Sequence, residues 1–145
     1  MIRKATTDDF AHVAVLMTEL WPGHTVEETL EELYLLEEPE CAVFLAEKNG
    51  EAAAFAQCQL RHDYVEGTDH SPVGYLEGVY VREPYRGKGL AKELLAACEA
   101  WASEQGCLEF ASDCELDNSG SLAFHLATGF TEANRIICFT KELNR

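Results

Sequence analysis

The chain has 145 residues, of which 47% are hydrophobic and 10% aromatic, so we expect residues 1–145 to form a single domain around one packed core. No apolar run approaches the roughly 18 residues of a membrane span. The N-terminus has no apolar signal core, so we expect a cytoplasmic protein without membrane contact. The formal net charge of −15 disfavours nucleic acid, whose phosphates it would repel, and fits either a cationic partner or solubility alone.

The cysteine pattern is not typical of a disulfide framework or a metal site. None of the six cysteines is part of a Cys-x-x-Cys pair, and most lie in apolar segments. Such residues behave as small hydrophobic side chains in their reduced form. We therefore expect no bound metal, and we expect reduced thiols at Cys41, Cys58, Cys98, Cys107, Cys114 and Cys138.

The N-terminal part of the chain predicts a strand followed by two helices. Residues 2–5 are predicted to form the strand, and the polar stretch 6–9 supplies an N-cap for the first helix. The segment 21–24, Trp-Pro-Gly-His, ends that helix, and the capping box at 25–28 opens the second one. The two apolar stripes are formed by Phe10, Val13, Leu16, Met17 and Leu20, and by Leu30, Leu33, Tyr34 and Leu36.

The middle of the chain predicts a hairpin and a central strand. Apolar runs over 41–47 and 53–60 indicate two strands, and Asn-Gly at 49–50 is a strong hairpin signal between them. The polar stretch 61–73 is predicted to form a loop over the active face. The apolar run 74–81 then predicts the central strand of the sheet.

The C-terminal part is predicted to alternate helices and strands. A 3.6-residue apolar period predicts a helix over 90–105, and the next apolar run predicts a strand over 108–112. A short helix is predicted between residues 118 and 129. A pair of strands at 130–131 and 135–141 is predicted to end the fold.

The predicted order of elements is β-α-α-β-β-β-α-β-α-β-β, which is typical of an α/β protein. We expect a central mixed sheet flanked by helices on both faces. The strand–helix–strand unit over 74–113 should be a right-handed parallel crossover. Because sites in open α/β sheets lie where the carboxyl ends of strands diverge, we expect the site beside Val81 and Asp113.

The turn between the central strand and the long helix is the first candidate binding site. A helix start leaves N–H groups without intrahelical partners and carries partial positive charge. Glycines let such a backbone approach a ligand closely, and Arg86 and Lys88 add positive charge in an otherwise acidic chain. The alternative is a tight turn with solvated basic side chains. The spacing Arg-x-x-Gly-x-Ala between strand and helix favours phosphate binding.

Two motifs and the order of the elements resemble the GCN5-related N-acetyltransferase (GNAT) family over essentially the whole chain. The segment 86–91, Arg-Gly-Lys-Gly-Leu-Ala, is similar to the acyl-CoA pyrophosphate loop of that family. The segment 118–130, Asn-x-x-Ser-x-x-Phe-His-x-x-x-Gly-Phe, is similar to its Asn-x-x-Ala-x-x-Phe-Tyr-x-x-x-Gly-Phe segment. The resemblance implies the acyl-CoA N-acyltransferase fold and acetyl-CoA as co-substrate. The expected acetyl-CoA contacts are Val79, Val81, Arg86, Gly87, Lys88, Gly89, Leu90, Ala91 and Asn118.

Four further segments, at 64–68, 71–78, 110–113 and 116–118, resemble the aminoglycoside 6′-N-acetyltransferases. This closer resemblance implies direct transfer of acetyl to the 6′-amine of an aminoglycoside antibiotic, and hence resistance. It also implies a homodimer with the C-terminal strands near the interface. Two alternatives stay open. One is another acceptor, such as a small amine, a polyamine or a protein N-terminus, and the other is a non-catalytic acyl-CoA-binding module.

Three residues are candidates for the chemical step. Glu77 is a candidate general base, directly or through water, and its alternative role is to pair with the substrate ammonium. The resemblance implies a bulge in the central strand that frees N–H groups, so that Val79 would donate to the thioester oxygen. His125 stands where the family usually has the tyrosine that protonates the leaving CoA thiolate. His125 could do the same, or water could, with His125 packing against the pantetheine arm.

Carboxylates and aromatic side chains are the candidates for binding the amine substrate. Asp113, at a predicted strand end beside the cofactor turn, is the best placed, while Asp117 and Glu132 are weaker candidates. Trp21 and His24 lie on the break between the first two helices. An aromatic side chain there could stack on a sugar, although Trp21 could also be core. The remaining expected substrate contacts are Tyr64 and Glu77.

Overall fold

The structure is a computed structural model that describes residues 1–144. The chain divides into two compact units, Met1–Asp113 and Cys114–Arg145. None of the helices between residues 1 and 144 is long and apolar enough to cross a membrane. The first unit contains β1 (Ile2–Lys4), α1 (Phe10–Leu20), α2 (Val26–Leu35), β2 (Cys41–Lys48), β3 (Glu51–Arg61), β4 (Val73–Val81), α3 (Leu90–Glu104) and β5 (Phe110–Ala111), and the second contains α4 (Ser119–Ala127).

The strands of the first unit form one mixed sheet in the order β1-β2-β3-β4-β5. Neighbours from β1 to β4 are antiparallel, whereas β4 and β5 are parallel and pair only at Gly74 with Phe110 and Tyr75 with Ala111. The predicted mixed sheet and the parallel pairing across α3 are confirmed. The strand β5 is shorter than the predicted 108–112, so it covers only the beginning of β4.

The hairpin between β2 and β3 follows from its turn residues. Asn49 and Gly50 both have positive φ, 53° and 77°, which is the backbone of a two-residue type I′ turn. That turn matches the twist of the flanking strands and fixes their register. The hairpin predicted from Asn-Gly is therefore confirmed.

The helices α1 and α2 bury the apolar stripes predicted for them. Val13, Leu16 and Leu33 lie in one core cluster with Phe55 of β3. The capping box is present, because Thr25 Oγ1 accepts from the N–H of Glu28 at 3.1 Å and the Glu28 carboxylate accepts from the N–H of Thr25 at 3.2 Å. Two details differ from the prediction. Tyr34 stays exposed, and Leu36 lies just beyond α2 because the backbone is already extended there.

Helices cover both faces of the sheet, as predicted. Side chains alternate between the two faces of a strand, so Ala54, Ala56 and Cys58 point away from the face on which Phe55 meets α1 and α2. On the opposite face the thiol of Cys58 contacts Cys98 of α3, which is fully buried. This contact and the burial raise the pKa of Cys98, so its thiol stays protonated and packs as a small hydrophobic group.

The cysteines are free thiols in three environments. Three are buried, as expected for small hydrophobic side chains, and two are half-buried. Cys138 is exposed, in contrast to the expectation for an apolar segment. The buried residues are Cys41, Cys58 and Cys98, and the half-buried ones are Cys107 and Cys114.

The predicted C-terminal strands at 130–131 and 135–141 are wrong. The described residues of the second unit contain the helix α4 and no strand. The alternating apolar residues of this segment are largely exposed, with exposed fractions of 69% for Ile136, 81% for Ile137 and 87% for Phe139. A strand persists only where a neighbouring strand takes up its backbone hydrogen bonds, and the described part of the second unit offers none.

Candidate acyl-CoA and amine site

The strand β4 has a β-bulge at Glu77. Across the β3–β4 pair, Cys58 is opposite Leu76 and Gln57 is opposite Gly78, so Glu77 is the extra residue on β4. A bulge bends its strand and re-aims the side chain at that position. The bulge implied by the family resemblance is therefore present, and it lies at the candidate general base.

Beyond the bulge, β4 presents backbone groups along an edge that no other strand within residues 1–144 covers. β5 pairs with β4 only as far as Tyr75. The N–H of Arg82 donates to Ala53 of β3 at 2.9 Å, so alternation along the strand directs the N–H groups of Val79 and Val81 to the opposite edge. The same edge receives a side-chain hydrogen bond, from Arg86 Nε to Val81 O at 2.7 Å. An extended amide-bearing ligand could pair with this edge as an additional strand would.

The turn after β4 has the backbone of an anion cradle. Gly87 and Gly89 have φ of 79° and 81°, in the left-handed region that favours glycine, and Gly89 is the residue before α3 begins at Leu90. No side chain caps α3, so its first-turn N–H groups point out of the helix start. A Cβ atom on Gly87 or Gly89 would meet nothing within 4 Å, so the surface beside the turn has room for a ligand.

The two basic residues of the turn have different surroundings. Arg86 is tied to the end of β4, with its guanidinium carbon 5.7 Å from the centroid of the Tyr80 ring as well as the hydrogen bond to Val81 O. Lys88 is exposed. The turn therefore combines one arginine that anchors the loop to the strand with one lysine at the surface. Both add positive charge to the helix start, which suits a pyrophosphate.

The carboxylate of Glu77 is half-buried and held by an arginine of the neighbouring strand. Arg61 Nη2 lies 3.0 Å from both carboxylate oxygens of Glu77, and Arg61 Nε lies 3.2 Å from Oε2. The exposed fraction of the side chain is 22% for Glu77 and 37% for Arg61. Burial raises the pKa of Glu77 above its ordinary value, and the hydrogen bonds from Arg61 oppose that rise. Such a carboxyl is a better proton acceptor than a solvated one.

Asp113 is exposed at the end of the β5 segment and is anchored by a tyrosine. The hydroxyl of Tyr75 donates to Asp113 Oδ2, and burial together with this hydrogen bond raises the pKa of Tyr75. The guanidinium carbon of Arg61 lies 3.4 Å from the centroid of the Tyr75 ring. Arg61 thus contacts Glu77 with its edge and Tyr75 with its face.

An open cavity of about 350 Å³ lies between α1, α2 and β3, and Trp21 and His24 both line it. Trp21 is 38% exposed and its ring centroid lies 6.0 Å from that of Phe55, so it is partly core and partly cavity wall. The core role considered for Trp21 thus has a structural basis, and its contact with a sugar stays a prediction. The other lining residues are Met17, Thr29, Glu32, Leu33, Leu36 and Gln57.

The predicted substrate contact Tyr64 lies in the loop between β3 and β4. Its side chain is 78% exposed, and its hydroxyl donates to the Glu66 carboxylate at 3.2 Å. Tyr64 is not among the residues that line the cavity beside Trp21. The structure therefore leaves Tyr64 as an exposed aromatic residue on this loop.

The second unit carries the remaining predicted site residues. Asn118 caps α4, its side-chain oxygen accepting from the N–H of Ser121 at 3.1 Å. His125 Nδ1 donates to Ser121 O at 2.7 Å, because a carbonyl can only accept. Glu132 pairs with Arg135 at 2.8 Å, and Asp117 is exposed. The pairing with Arg135 lowers the pKa of Glu132.

The sequence profile of the acetyltransferase (GNAT) family matches residues 6–130. The chain belongs to this family. The match includes the glycine turn at 86–91 and the segment that begins at Asn118, the two motifs that carried the resemblance. The GNAT fold expected from the sequence is thereby confirmed.

Proteins similar to this GNAT chain carry the name of one activity. The aminoglycoside N(6′)-acetyltransferase type 1 of Stenotrophomonas maltophilia is 46% identical over 144 residues, which cover 98% of this chain and 93% of the relative. The protein of the same name from Salmonella enteritidis is 40% identical, with 97% of each chain covered. The structure of AAC(6′)-Iy in complex with the bisubstrate analogue CoA-S-monomethyl-acetylneamine is 39% identical, with a TM-score of 0.93 and coverage of 99% of this chain and 98% of that one.

Within the first unit of the GNAT chain, the predicted residues of the chemical step and the cofactor turn follow one another along β4 and into α3. Glu77, Val79 and Val81 lie on β4, and the glycine turn continues from its end. Two contacts were missed by reasoning from the sequence, those of Arg61 with Glu77 and of Tyr75 with Asp113. One feature of the sequence pointed to Arg61, because this residue ends a strand that pairs with β4. The side chain that Arg61 contacts, however, depends on the position of the bulge.

Proposed function

We propose that this GNAT protein transfers the acetyl group of acetyl-CoA to the 6′-amino group of aminoglycoside antibiotics and so confers resistance. The observation that carries the proposal is the uncovered edge of β4. Along this edge, the backbone groups of Val79 and Val81 lie between the half-buried carboxylate of Glu77 and the left-handed glycines before α3. The activity of relatives that match almost the whole chain supports the choice of acceptor.

The residues around the glycine turn fit acetyl-CoA. Bound acetyl-CoA would supply an activated acetyl group as a thioester. The N–H groups from Gly87 to Ala91, together with Arg86 and Lys88, would hold the pyrophosphate at the helix start. Val81 and the side chain of Asn118 would bind the pantetheine arm through its amides. The family match spans 6–130, which supports a single N-acetyltransferase domain over residues 1–145.

Three groups would serve the chemical step. Glu77 would take a proton from the substrate ammonium, directly or through water, and its raised pKa makes it a stronger base than a solvated carboxylate. The N–H of Val79 would donate to the thioester oxygen as that oxygen gains charge. The CoA sulfur would be protonated by His125 or by water.

The acidic side chains and the cavity beside Trp21 would bind the polycationic substrate. Asp113 is exposed and held by Tyr75, which suits pairing with an ammonium group. Trp21 and His24 would contact a sugar ring across the cavity they line. Tyr64, Asp117 and Glu132 would supply further contacts. The formal net charge of −15 would attract such a substrate at low ionic strength.

We also propose that the protein is a cytoplasmic homodimer in which the segment 130–144 lies at the interface. Support comes from its exposed apolar side chains, including Ile137 and Phe139, which a partner strand would cover. Light scattering is the test, with a dimer mass expected for the wild type and a monomer mass for Ile137→Glu. Leu35→Glu is the control, because Leu35 is nearly as exposed, at 77%, but belongs to α2. An Ile137→Glu protein that remains dimeric would exclude this interface.

The activity is tested by measuring thiol release from acetyl-CoA with a panel of amines. The panel contains an aminoglycoside with a 6′-amine, a matched aminoglycoside with a 6′-hydroxyl, a polyamine and a peptide with a free N-terminus. We expect rapid thiol release with the first compound alone. Release with the polyamine or peptide instead would identify another acceptor class. CoA binding by calorimetry without thiol release from any amine would identify a non-catalytic acyl-CoA-binding module.

A further inference from the structure

Arg61 is the last residue of β3, and the bulge of β4 determines which side chain it meets. Its backbone is paired with Val73, near the start of β4, but its guanidinium reaches Glu77. The pair has three N–O contacts between 3.0 and 3.2 Å. The planar fork of an arginine can hold both oxygens of a carboxylate at once, which fixes the carboxylate in rotation as well as in position.

The same guanidinium also stacks on an aromatic ring. Its central carbon lies 3.4 Å from the centroid of the Tyr75 ring, within the range of a cation–π interaction. The Tyr75 hydroxyl in turn donates to Asp113. Arg61 therefore connects the candidate general base with the candidate substrate carboxylate through one edge contact and one face contact.

We propose that Arg61 is a positioning residue for acetyl transfer, holding the carboxylate of Glu77 in its reactive orientation and the ring of Tyr75 beneath Asp113. The proposal rests on the proposed acetyltransferase function. The positive charge of Arg61 would repel the ammonium groups of a cationic substrate, and its guanidinium is already paired with Glu77. Its placement makes sense if it orders the carboxylates that the substrate meets.

Arg61 also affects the pKa of Glu77. Desolvation raises the pKa of Glu77, and the charge of Asp113 raises it further. The hydrogen bonds and charge of Arg61 lower the pKa, as does a hydrogen bond from Gln59 of β3. Arg61 is thus the cation whose contacts lower the pKa of Glu77 and favour its ionised form. An opposite charge at this distance is typically worth about 1–3 pKa units for a carboxyl group.

The test compares Arg61→Gln and Arg61→Lys with the wild type. Arg61→Gln removes the charge, so the acidic limb of the kcat/KM profile should move to higher pH by about one unit or more. Arg61→Lys keeps the charge but loses the fork and the stack. We expect its acidic limb to stay near that of the wild type while kcat falls about tenfold, without a rise in the KM of the amine. If Arg61→Gln does not fold, Arg61→Lys alone tests the positioning role of Arg61.

Arg3→Gln is the matched control. Arg3 also forms ion pairs with two carboxylates, those of Asp9 and Glu47, at 2.7 and 2.6 Å. It lies on β1, however, at the other end of the sheet order. Removing Arg3 should lower thermal stability and leave the pH profile unmoved. A shift of the acidic limb in Arg61→Gln that Arg3→Gln reproduces would overturn the proposal, because it would reflect general loss of structure.

A readout independent of turnover separates this proposal from the proposed function. Carbon-13 NMR of the Glu77 carboxyl, assigned by its loss in Glu77→Gln, gives the pKa of that group directly. We expect the pKa to rise by about one unit in Arg61→Gln. An unmoved NMR pKa, or an unmoved acidic limb in an active enzyme, overturns the role of Arg61. A wild type inactive toward every amine overturns the proposed function, and the NMR titration then decides on Arg61 alone.

Discussion

Trp21 lies directly over Gly78, where a Cβ atom would be 2.5 Å from the indole ring and 3.2 Å from Leu20 Cδ2. The glycine next to the bulge therefore lets the break between α1 and α2 close onto β4. Since Trp21 also lines the cavity between the two helices, the size of residue 78 controls the position of one cavity wall.

We predict that Gly78→Ala displaces Trp21 and destabilises the protein by about 1–3 kcal/mol, the usual cost of overpacking. Urea unfolding measures the loss, and a change in tryptophan fluorescence should accompany it, because the other tryptophan, Trp101, is buried on α3. Gly120→Ala is the control, since a Cβ there meets nothing closer than 3.9 Å. Equal stability of Gly78→Ala and the wild type would mean that Trp21 moves aside freely.

We predict that Gly89→Asp abolishes most of the CoA affinity. The substitution adds a side chain and a negative charge in the cradle where pyrophosphate would approach. It also forces a non-glycine residue to φ of 81°, which costs about 1–2 kcal/mol. Calorimetry with CoA is the measurement.

Gly50→Asp separates these two effects on CoA binding. Gly50 has a nearly equal φ of 77° and open space around it, but it belongs to the β2–β3 hairpin. Both variants should lose similar stability, and only Gly89→Asp should lose CoA affinity. Undiminished CoA binding by a folded Gly89→Asp protein would remove the glycine turn from the cofactor site.

We predict that Asp113→Asn raises the KM for the aminoglycoside, because it removes an exposed carboxylate that would pair with a substrate ammonium. Rising salt should raise the KM of the wild type by screening, and should do so less in the variant. Steady-state kinetics at two ionic strengths make the measurement. Asp8→Asn, an exposed aspartate before α1, is the control and should leave KM unchanged. If neither salt nor Asp113→Asn changes KM, charge does not govern substrate binding here.

Short-range features of the fold and the site were predictable from the sequence, because residues within a few positions of one another determine them. The glycines of the 86–91 turn, the capping box at 25–28 and the Asn-Gly hairpin each encode a backbone conformation within a few residues. The elements predicted before residue 130 therefore agree with the structure to within a few residues at their ends. The parallel pairing of β4 with β5 followed from the helix between them.

The contacts of Arg61 could not be predicted in the same way. A bulge shifts the register of two strands by one residue, so the partner of Arg61 depends on where the extra residue falls. No local pattern specifies that position. The C-terminal strands were wrong for a related reason. Alternating apolar residues such as Ile137 and Phe139 favour a strand that a neighbouring strand covers, but they do not identify that neighbour.

We predict that Glu77→Gln lowers kcat by about 10²–10⁴-fold, the usual contribution of a general base, and leaves CoA binding unchanged. Glutamine keeps the size of the side chain but cannot take a proton. The raised pKa of Glu77 predicts the direction of the pH dependence in this test. The base is inactive when protonated, so the wild-type rate should fall as the pH drops through that pKa, and Glu77→Gln should lose this acidic limb. Stopped-flow and steady-state rates across pH, under conditions where chemistry limits, make the measurement.

Glu47→Gln is the matched control for this prediction. Glu47 is also a carboxylate held by an arginine, Arg3, at 2.6 Å, but it pairs across β1 and β2, at the end of the sheet order opposite to β5. Its loss should affect stability alone. If Glu77→Gln stays within about threefold of the wild-type kcat at every pH, well short of a general-base contribution, Glu77 binds the substrate or supports the fold. In that event the amine proton leaves through ordered water, or the amine binds already neutral.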